Sequence, residues 1–163
     1  MTDRLWAPWR MEYIKDSVQV RPKTCIFCDL LAPGDDDRTR LVLYRGERAA
    51  VLMNKFPYNN GHLLVMPRAH AGHLDKLDRE TFLDLHDLVH QAINVLERAL
   101  KPHGLNVGMN LGLEAGAGIP DHMHYHVVPR WSGDTNFMPV IAETKVISQH
   151  LLATYDELKP FFT

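Results

Sequence analysis

The chain has 163 residues and a mass of 18.7 kDa, a length that fits one compact domain. Hydrophobic residues make up 45% and charged residues 23%, which excludes a disordered chain. The net charge of −2 gives no global field that would draw the protein to nucleic acid or to an anionic membrane. No apolar run approaches the roughly 20 residues of a membrane span and no signal peptide is evident, so we expect a soluble, cytoplasmic protein without membrane contact.

The N-terminal segment, about residues 1–22, is predicted to be an extended arm. Trp6 and Trp9 lie on either side of Pro8, which disfavours helix in the residue before it. Two large rings in an extended segment favour contact with another surface, such as a second subunit. A loop of helix breakers and acidic residues follows at residues 32–37.

Three short apolar runs then predict an antiparallel meander. Residues 41–44 and 49–53 flank a turn at Gly46, and the third run, at residues 62–66, follows a turn at Gly61.

A change of period marks the next element. Apolar residues recur at steps of three and four from Phe82 to Leu96, which predicts a long helix. Asp78 is its candidate N-cap, and Pro102 with Gly104 should end it. Two further strands are expected at residues 105–111 and 122–128. Several strands with one dominant helix predict an α+β domain.

Three histidines in the last predicted strand carry most of the functional signal. His122, His124 and His126 occupy alternate positions, so a strand would place all three imidazoles on one face. Imidazole, with a pKa of about 6.5, serves near neutral pH as nucleophile, proton donor or metal ligand. The alternatives are a chance polar face and a purely structural zinc site, and we favour an active site.

A glycine-rich loop stands immediately before these histidines. Gly112, Gly116 and Gly118 allow backbone N–H groups to approach an anion closely. Such a loop alone is a weak signal and is more often a flexible turn. Its position beside the histidines favours phosphate binding.

Cys25 and Cys28 are the only cysteines and form a Cys-x-x-Cys pair. Two cysteines are too few for a disulfide scaffold, so the pair indicates a metal site or a redox site. A redox pair is expected to open a helix after a strand, and no such context is evident upstream of Thr24. We favour zinc with a structural role and expect no organic cofactor.

The His-x-His-x-His pattern followed by two apolar residues resembles the histidine triad (HIT) family of nucleotidyl hydrolases and transferases. The resemblance covers most of the chain, because the Cys pair, Asn54, residues 61–67, His70, the glycine loop and the triad follow the family's order. The flanks at residues 5–10 and 131–140 resemble more narrowly the bacterial branch that contains diadenosine tetraphosphate phosphorylases.

The resemblance implies a HIT-like antiparallel sheet with one long helix plus a shorter C-terminal helix. It implies a single domain over residues 1–163, with the N-terminal arm at about 1–22 and a C-terminal extension at about 131–163. It also implies a homodimer or a higher homo-oligomer, for which the arm and residues 136–140 are the candidate interface.

For the chemistry, the resemblance implies that His124 attacks the α-phosphorus of a nucleotide and forms a transient nucleotidyl-histidine. His126 is then the phosphate partner, and His122 either orients His124 or binds zinc. The implied zinc ligands are Cys25, Cys28, His70 and His122.

The implied binding residues surround the triad. Asn110 and the amides near Gly116 and Gly118 would hold phosphate, and Asn54 would contact a ribose hydroxyl. The apolar residues Ile26 and Leu52 would flank adenine, although packing in the core is the alternative for both. One departure concerns phosphate binding, since many relatives carry Gln, Ser or Thr where this chain has Ile119 and Pro120.

The leading prediction is an enzyme that cleaves a dinucleoside polyphosphate, diadenosine tetraphosphate above all. Phosphorolysis would give ATP and ADP, and hydrolysis would give ATP and AMP. The flanking segments favour phosphorolysis, whereas His126 is more usual among hydrolases than among the transferases that carry glutamine there. The alternatives are an adenosine phosphoramidase and a nucleotide-binding scaffold protein.

Overall fold

The structure is a computed structural model that describes residues 24–34, 36–134 and 149–162. The predicted N-terminal arm and the interface segment at residues 136–140 lie outside the described residues. Within the described part of the chain, no helix is both long enough and apolar enough to span a bilayer.

Five strands of the described ranges form one antiparallel sheet in the order β1-β2-β3-β5-β4. The strands are β1 (Val42–Arg45), β2 (Ala49–Met53), β3 (Leu63–Pro67), β4 (Gly104–Met109) and β5 (Tyr125–Arg130). The predicted meander is confirmed as β1-β2-β3, and β2 pairs with β3 without a register shift. The sheet places β5 beside β3, which are far apart in sequence.

In the described residues, three α-helices accompany the sheet: α1 (Ile26–Leu31), α2 (Arg79–Leu100) and α3 (Leu151–Leu158). Asp78 caps α2 as predicted, because its Oδ1 accepts the Thr81 backbone N–H at 2.7 Å. The helix ends before Lys101, whose left-handed φ of 47° stops the helical repeat ahead of Pro102. The α+β class, the long helix and the shorter C-terminal helix are confirmed.

The sheet is covered on both faces near β2 and β3. On one face α2 contributes Leu85, Val89 and Leu96 to the larger hydrophobic cluster, together with Val51 and Val65 of the sheet. The opposite face is covered by α1, whose cluster has the buried members Phe27, Leu31, Val42, Ala50, Leu52, Leu64 and Met66. Burial on both faces explains why β2 and β3 are continuously apolar rather than alternating.

The C-terminal turn closes the β1 edge of the sheet. The Tyr155 hydroxyl donates to the Val42 carbonyl at 3.0 Å, and the Lys159 ammonium donates to the Leu43 carbonyl at 2.7 Å. These side chains satisfy backbone acceptors that an edge strand would otherwise present to another chain.

Strand boundaries near the triad differ from the prediction. The strand expected at residues 122–128 begins only at Tyr125, because the Met123 N–H donates to the Ala71 carbonyl at 2.7 Å instead of joining the sheet. His122 and His124 therefore precede β5. The expected alternation survives, since Met123 and Val127 lie in the larger core cluster. The strand expected at residues 105–111 is Gly104–Met109.

Candidate functional site

Four imidazoles form a row that is built from β5, the segment just before β5 and the residue just before β3. His126 lies on β5 opposite Leu64, and His62 immediately precedes β3. The His126 ring centroid is 4.9 Å from that of His124 and 5.1 Å from that of His62. His62, His122 and His124 are buried. The structure thus brings the predicted triad together and adds His62.

The contacts of His124 fix which ring nitrogen is available for chemistry. Its Nδ1 lies 2.9 Å from the His122 carbonyl oxygen, which only accepts, so Nδ1 carries the proton and donates it. Burial lowers the pKa of His124, which favours the neutral ring. A neutral imidazole with its proton on Nδ1 keeps a lone pair on Nε2. His124 is therefore prepared to act as a nucleophile through Nε2.

His126 is arranged as a hydrogen-bond donor rather than a nucleophile, because the His62 ring fixes which nitrogen of His126 carries the proton. The Tyr58 backbone N–H donates to His62 Nδ1 at 3.0 Å, so His62 carries its proton on Nε2. That Nε2–H donates to His126 Nδ1 at 2.9 Å. Burial and the adjacent His124 lower the pKa of His126 to about 4, so its ring is neutral near neutral pH. A neutral ring that accepts at Nδ1 presents an Nε2–H donor.

The sequence interpretation assigned no role to His62, although it stands at the start of a predicted strand. Its partners are a turn amide, Asn54 and a histidine 64 positions away. The available sequence signal was a histidine at the start of an apolar run, and only the structure shows that it is fully buried and that the β3–β5 pairing brings it to His126.

Asn54 approaches the same network. Its Nδ2 lies 3.3 Å from His62 Nδ1, and its Oδ1 accepts the Phe56 N–H at 2.9 Å. This places Asn54 at the end of the histidine row next to β2. A ribose contact at Asn54 stays a prediction.

The glycine loop lies just before the triad in the chain. Gly112 and Gly116 have φ angles of 85° and 87°, a left-handed region that glycine enters without steric cost. Asn110 Nδ2 donates to the Gly116 carbonyl at 3.4 Å, and the Gly116 N–H donates to the Leu113 carbonyl at 2.9 Å. Asn110 thus ties the loop to its own backbone, while phosphate contacts at Asn110, Gly116 and Gly118 stay predictions.

The two residues expected at the adenine differ in exposure. Leu52 is 1% exposed and belongs to the cluster beneath α1, which agrees with the alternative that it packs in the core. Ile26 is 48% exposed at the start of α1, where an apolar ligand surface is available.

The predicted zinc ligands converge. One donor atom from each of Cys25, Cys28, His70 and His122 lies within 4.8 Å of the others. Cys25 Sγ is 3.4 Å from His122 Nδ1, and Cys28 Sγ is 3.4 Å from His70 Nδ1 and 3.6 Å from His122 Nδ1. Tetrahedral zinc with its usual bond lengths separates its ligand atoms by about 3.3–3.8 Å, so these residues fit a zinc ion.

The outer contacts of these ligands also suit a metal. His122 Nε2–H donates to the Pro67 carbonyl at 2.9 Å, which leaves the Nδ1 lone pair facing the thiols. Partial burial is the main cause that raises the pKa of the Cys28 thiol, and the neighbouring Cys25 adds to it. A coordinated cation would instead favour the thiolate. Neither Cys25 nor Cys28 forms a disulfide bond in the structure.

Comparison with known proteins agrees with this geometry. The HIT domain family model matches residues 36–133. The AP-4-A phosphorylase of Mycobacterium tuberculosis is 39% identical over 157 residues, which cover 93% of this chain and 80% of that protein. The adenosine 5'-monophosphoramidase hnt1 of Schizosaccharomyces pombe is 30% identical over 107 residues, covering 66% of this chain and 74% of that protein.

Among solved structures, a zinc-bound histidine triad family protein from Mycobacterium smegmatis superposes with a TM-score of 0.65 at 22% identity. The superposition covers 85% of this chain and 92% of that chain. At this identity the likeness establishes the fold.

Proposed function

The chain belongs to the HIT family of nucleotide hydrolases and transferases, and from this premise we propose that it cleaves diadenosine tetraphosphate through a nucleotidyl-His124 intermediate. The observation that carries the proposal is the opposed arrangement of two neutral rings. His124 keeps a lone pair on Nε2 because its Nδ1–H is held by a carbonyl, and His126 presents an Nε2–H because its Nδ1 accepts from His62.

In the first step, the Nε2 lone pair of His124 attacks the α-phosphorus. A nitrogen–phosphorus bond forms as the bond from phosphorus to the bridging oxygen breaks, and ATP leaves with that electron pair. The His126 ring centroid lies 4.9 Å from that of His124, and its Nε2–H stabilises the oxygen on which negative charge develops. The covalent step divides one difficult displacement into two.

In the second step, an acceptor oxygen attacks the same phosphorus and the bond to His124 breaks. Inorganic phosphate as acceptor gives ADP, and water gives AMP. We propose phosphate, because the 39% identity to an AP-4-A phosphorylase extends over 93% of this chain, well beyond the triad. Loss of the phosphate proton to solvent balances the step.

The remaining site residues hold the substrate in this proposal. Asn54, at the end of the histidine row, binds a ribose hydroxyl, and Ile26 offers an exposed apolar surface to adenine. The loop from Asn110 to Gly118 supplies backbone amides to phosphate. Leu52 supports this surface from the core beneath α1.

Cys25, Cys28, His70 and His122 would hold zinc in a structural role. Bound zinc would cross-link α1 to the segments that carry His70 and His122, and it would keep the thiols deprotonated. No bond-making step of the proposed reaction involves it.

Product analysis tests the function directly. The protein and its His124→Ala variant are incubated with diadenosine tetraphosphate, with and without phosphate, and the nucleotides are separated by ion exchange. Phosphate-dependent formation of ATP and ADP by the wild type, absent in the variant, is the expected result. Turnover that persists in His124→Ala would refute the mechanism.

Two other activities have specific support and distinct products. ATP and AMP formed without phosphate would indicate a dinucleoside polyphosphate hydrolase, for which His126 is the usual residue. Cleavage of adenosine phosphoramidate in preference to diadenosine tetraphosphate would indicate a phosphoramidase, as in the similar S. pombe protein. Nucleotide binding without turnover of either substrate would indicate a scaffold protein.

We also propose that the enzyme acts as a cytoplasmic homodimer, built through the N-terminal arm and residues 136–140. The sheet supports self-association through a further surface, because β4 is an edge among the described strands and Val107 on it is 44% exposed. Light scattering at micromolar concentration should give twice the monomer mass, and a monomer would contradict the assembly.

A further inference from the structure

The short helix α1 carries three residues that face the histidines. Cys25 is its N-cap residue and Cys28 lies one turn later, so both thiols approach the same side. Phe27, between them, is 5% exposed. Its ring centroid lies 5.5 Å from that of His122 and 5.0 Å from that of His124, edge-on in both cases. The helix that supplies the thiols therefore also packs against the nucleophile.

His122 gives the metal-binding cluster a second connection to His124. Its ring is held on one side by the Pro67 carbonyl, and on the other side Nδ1 meets the two thiols. Its own backbone carbonyl accepts the Nδ1–H of His124. A shift of the His122 backbone would therefore move the acceptor that fixes the His124 tautomer.

We propose that the Cys25/Cys28/His70/His122 cluster positions the nucleophile, with Phe27 as the positioning residue that transmits the constraint. The proposal rests on the proposed role of His124. A helix of six residues is not stable by itself. The position of α1 therefore depends on the contacts of its two thiols with His70 and His122 and on the packing of Phe27. With the thiols held, Phe27 blocks rotation of the His124 ring, and the His122 carbonyl holds its proton on Nδ1.

Loss of this constraint should affect the chemical step more than nucleotide binding. The proposed substrate contacts at Asn54 and the glycine loop lie outside α1, and Ile26, the proposed adenine contact on α1, is left in place by a change at Phe27. A reacting group misplaced by about 1 Å can cost on the order of 100-fold in rate. We therefore expect Phe27→Leu to lower kcat by about 10- to 100-fold while KM changes by less than about threefold.

Leu31 offers a matched control on the same helix. It is equally buried, at 5% exposed, and belongs to the same cluster, so Leu31→Ala removes at least as much packing as Phe27→Leu, one turn away from the histidines. Thermal melting of both variants reports whether they lose similar stability. Even with a lower melting temperature, Leu31→Ala should keep kcat within about threefold of the wild type while it is folded, since packing alone does not orient His124.

The ¹⁵N chemical shifts of the His124 ring provide a readout that needs no turnover. At fixed neutral pH, the zinc-loaded wild type should show a protonated Nδ1 and an unprotonated Nε2. Phe27→Leu, and Cys28→Ser with reduced zinc content, should show averaged shifts that report exchange between tautomers. Leu31→Ala should keep the wild-type shifts.

Wild-type shifts and wild-type kcat in Phe27→Leu would overturn the proposal. So would unchanged His124 shifts in a folded Cys28→Ser protein that no longer binds zinc. The shifts remain decisive if the wild type fails to cleave diadenosine tetraphosphate, because such a result refutes the proposed function and leaves the positioning of His124 measurable.

Discussion

Replacing His62 by phenylalanine should separate its role from simple packing. The ring is fully buried, and its polar contacts include the Tyr58 N–H, Asn54 Nδ2 and His126 Nδ1. Phenylalanine keeps a ring of similar size and removes both nitrogens. It removes this partner from two partly buried donors and one acceptor, at a cost of about 1–3 kcal/mol in the free energy of unfolding.

The same change should slow the reaction because it releases the proton of His126. Without a donor at Nδ1, His126 can carry its proton there and turn a lone pair toward the phosphate. Complete loss of one donor to the developing negative charge lowers kcat by about 100- to 1000-fold. A partial loss should therefore lower kcat/KM by about 10- to 100-fold. His62→Gln, whose amide can donate to His126, should retain more activity.

Steady-state kinetics on diadenosine tetraphosphate, with urea unfolding of the same preparations, checks both magnitudes. His90→Phe is a suitable control, because His90 is an exposed histidine on α2. A folded His62→Phe enzyme with kcat/KM within about threefold of the wild type would refute the assigned tautomers.

Three further outcomes concern stability. Leu85→Ala should destabilise the protein by about 2–5 kcal/mol in urea unfolding, because Leu85 is fully buried under the sheet; a smaller loss would show that the core can collapse around the cavity. Gly61→Ala should lower Tm, since φ is +72° and a Cβ would meet the Leu100 side chain; an unchanged Tm would contradict that strain. The Arg130 guanidinium holds the pKa of Asp134 at about 2, so stability is present above the ordinary aspartate pKa and should fall as pH drops from about 4 to 2. Asp134→Asn should flatten that decline, and an identical pH profile would refute the assignment.

Local signals were sufficient to predict the meander and the long helix. Turn glycines separate short apolar runs in β1 to β3, and α2 combines a regular apolar period with a capping aspartate and a proline beyond its end. The alternation of residues 122–128 also predicted that the triad imidazoles share one face, and Met123 and Val127 between them lie in the core, although the strand itself begins later.

The features that the sequence did not predict depend on contacts between distant segments. The six residues of α1 are too few for a periodic signal. The start of β5 is displaced because Met123 bonds to Ala71, more than 50 positions earlier. His62 acquires its role only when β3 pairs with β5. The zinc ligands came from the family resemblance, since no local pattern joins His70 to the cysteine pair.

Trapping the covalent intermediate tests the central claim most directly. Enzyme mixed with diadenosine tetraphosphate labelled at the α-phosphorus is quenched in alkali during turnover, digested and analysed by mass spectrometry. A nucleotidyl group on the peptide containing His124, absent from His124→Ala, is the predicted result. Label on another residue, or full turnover by His124→Ala, would contradict the account.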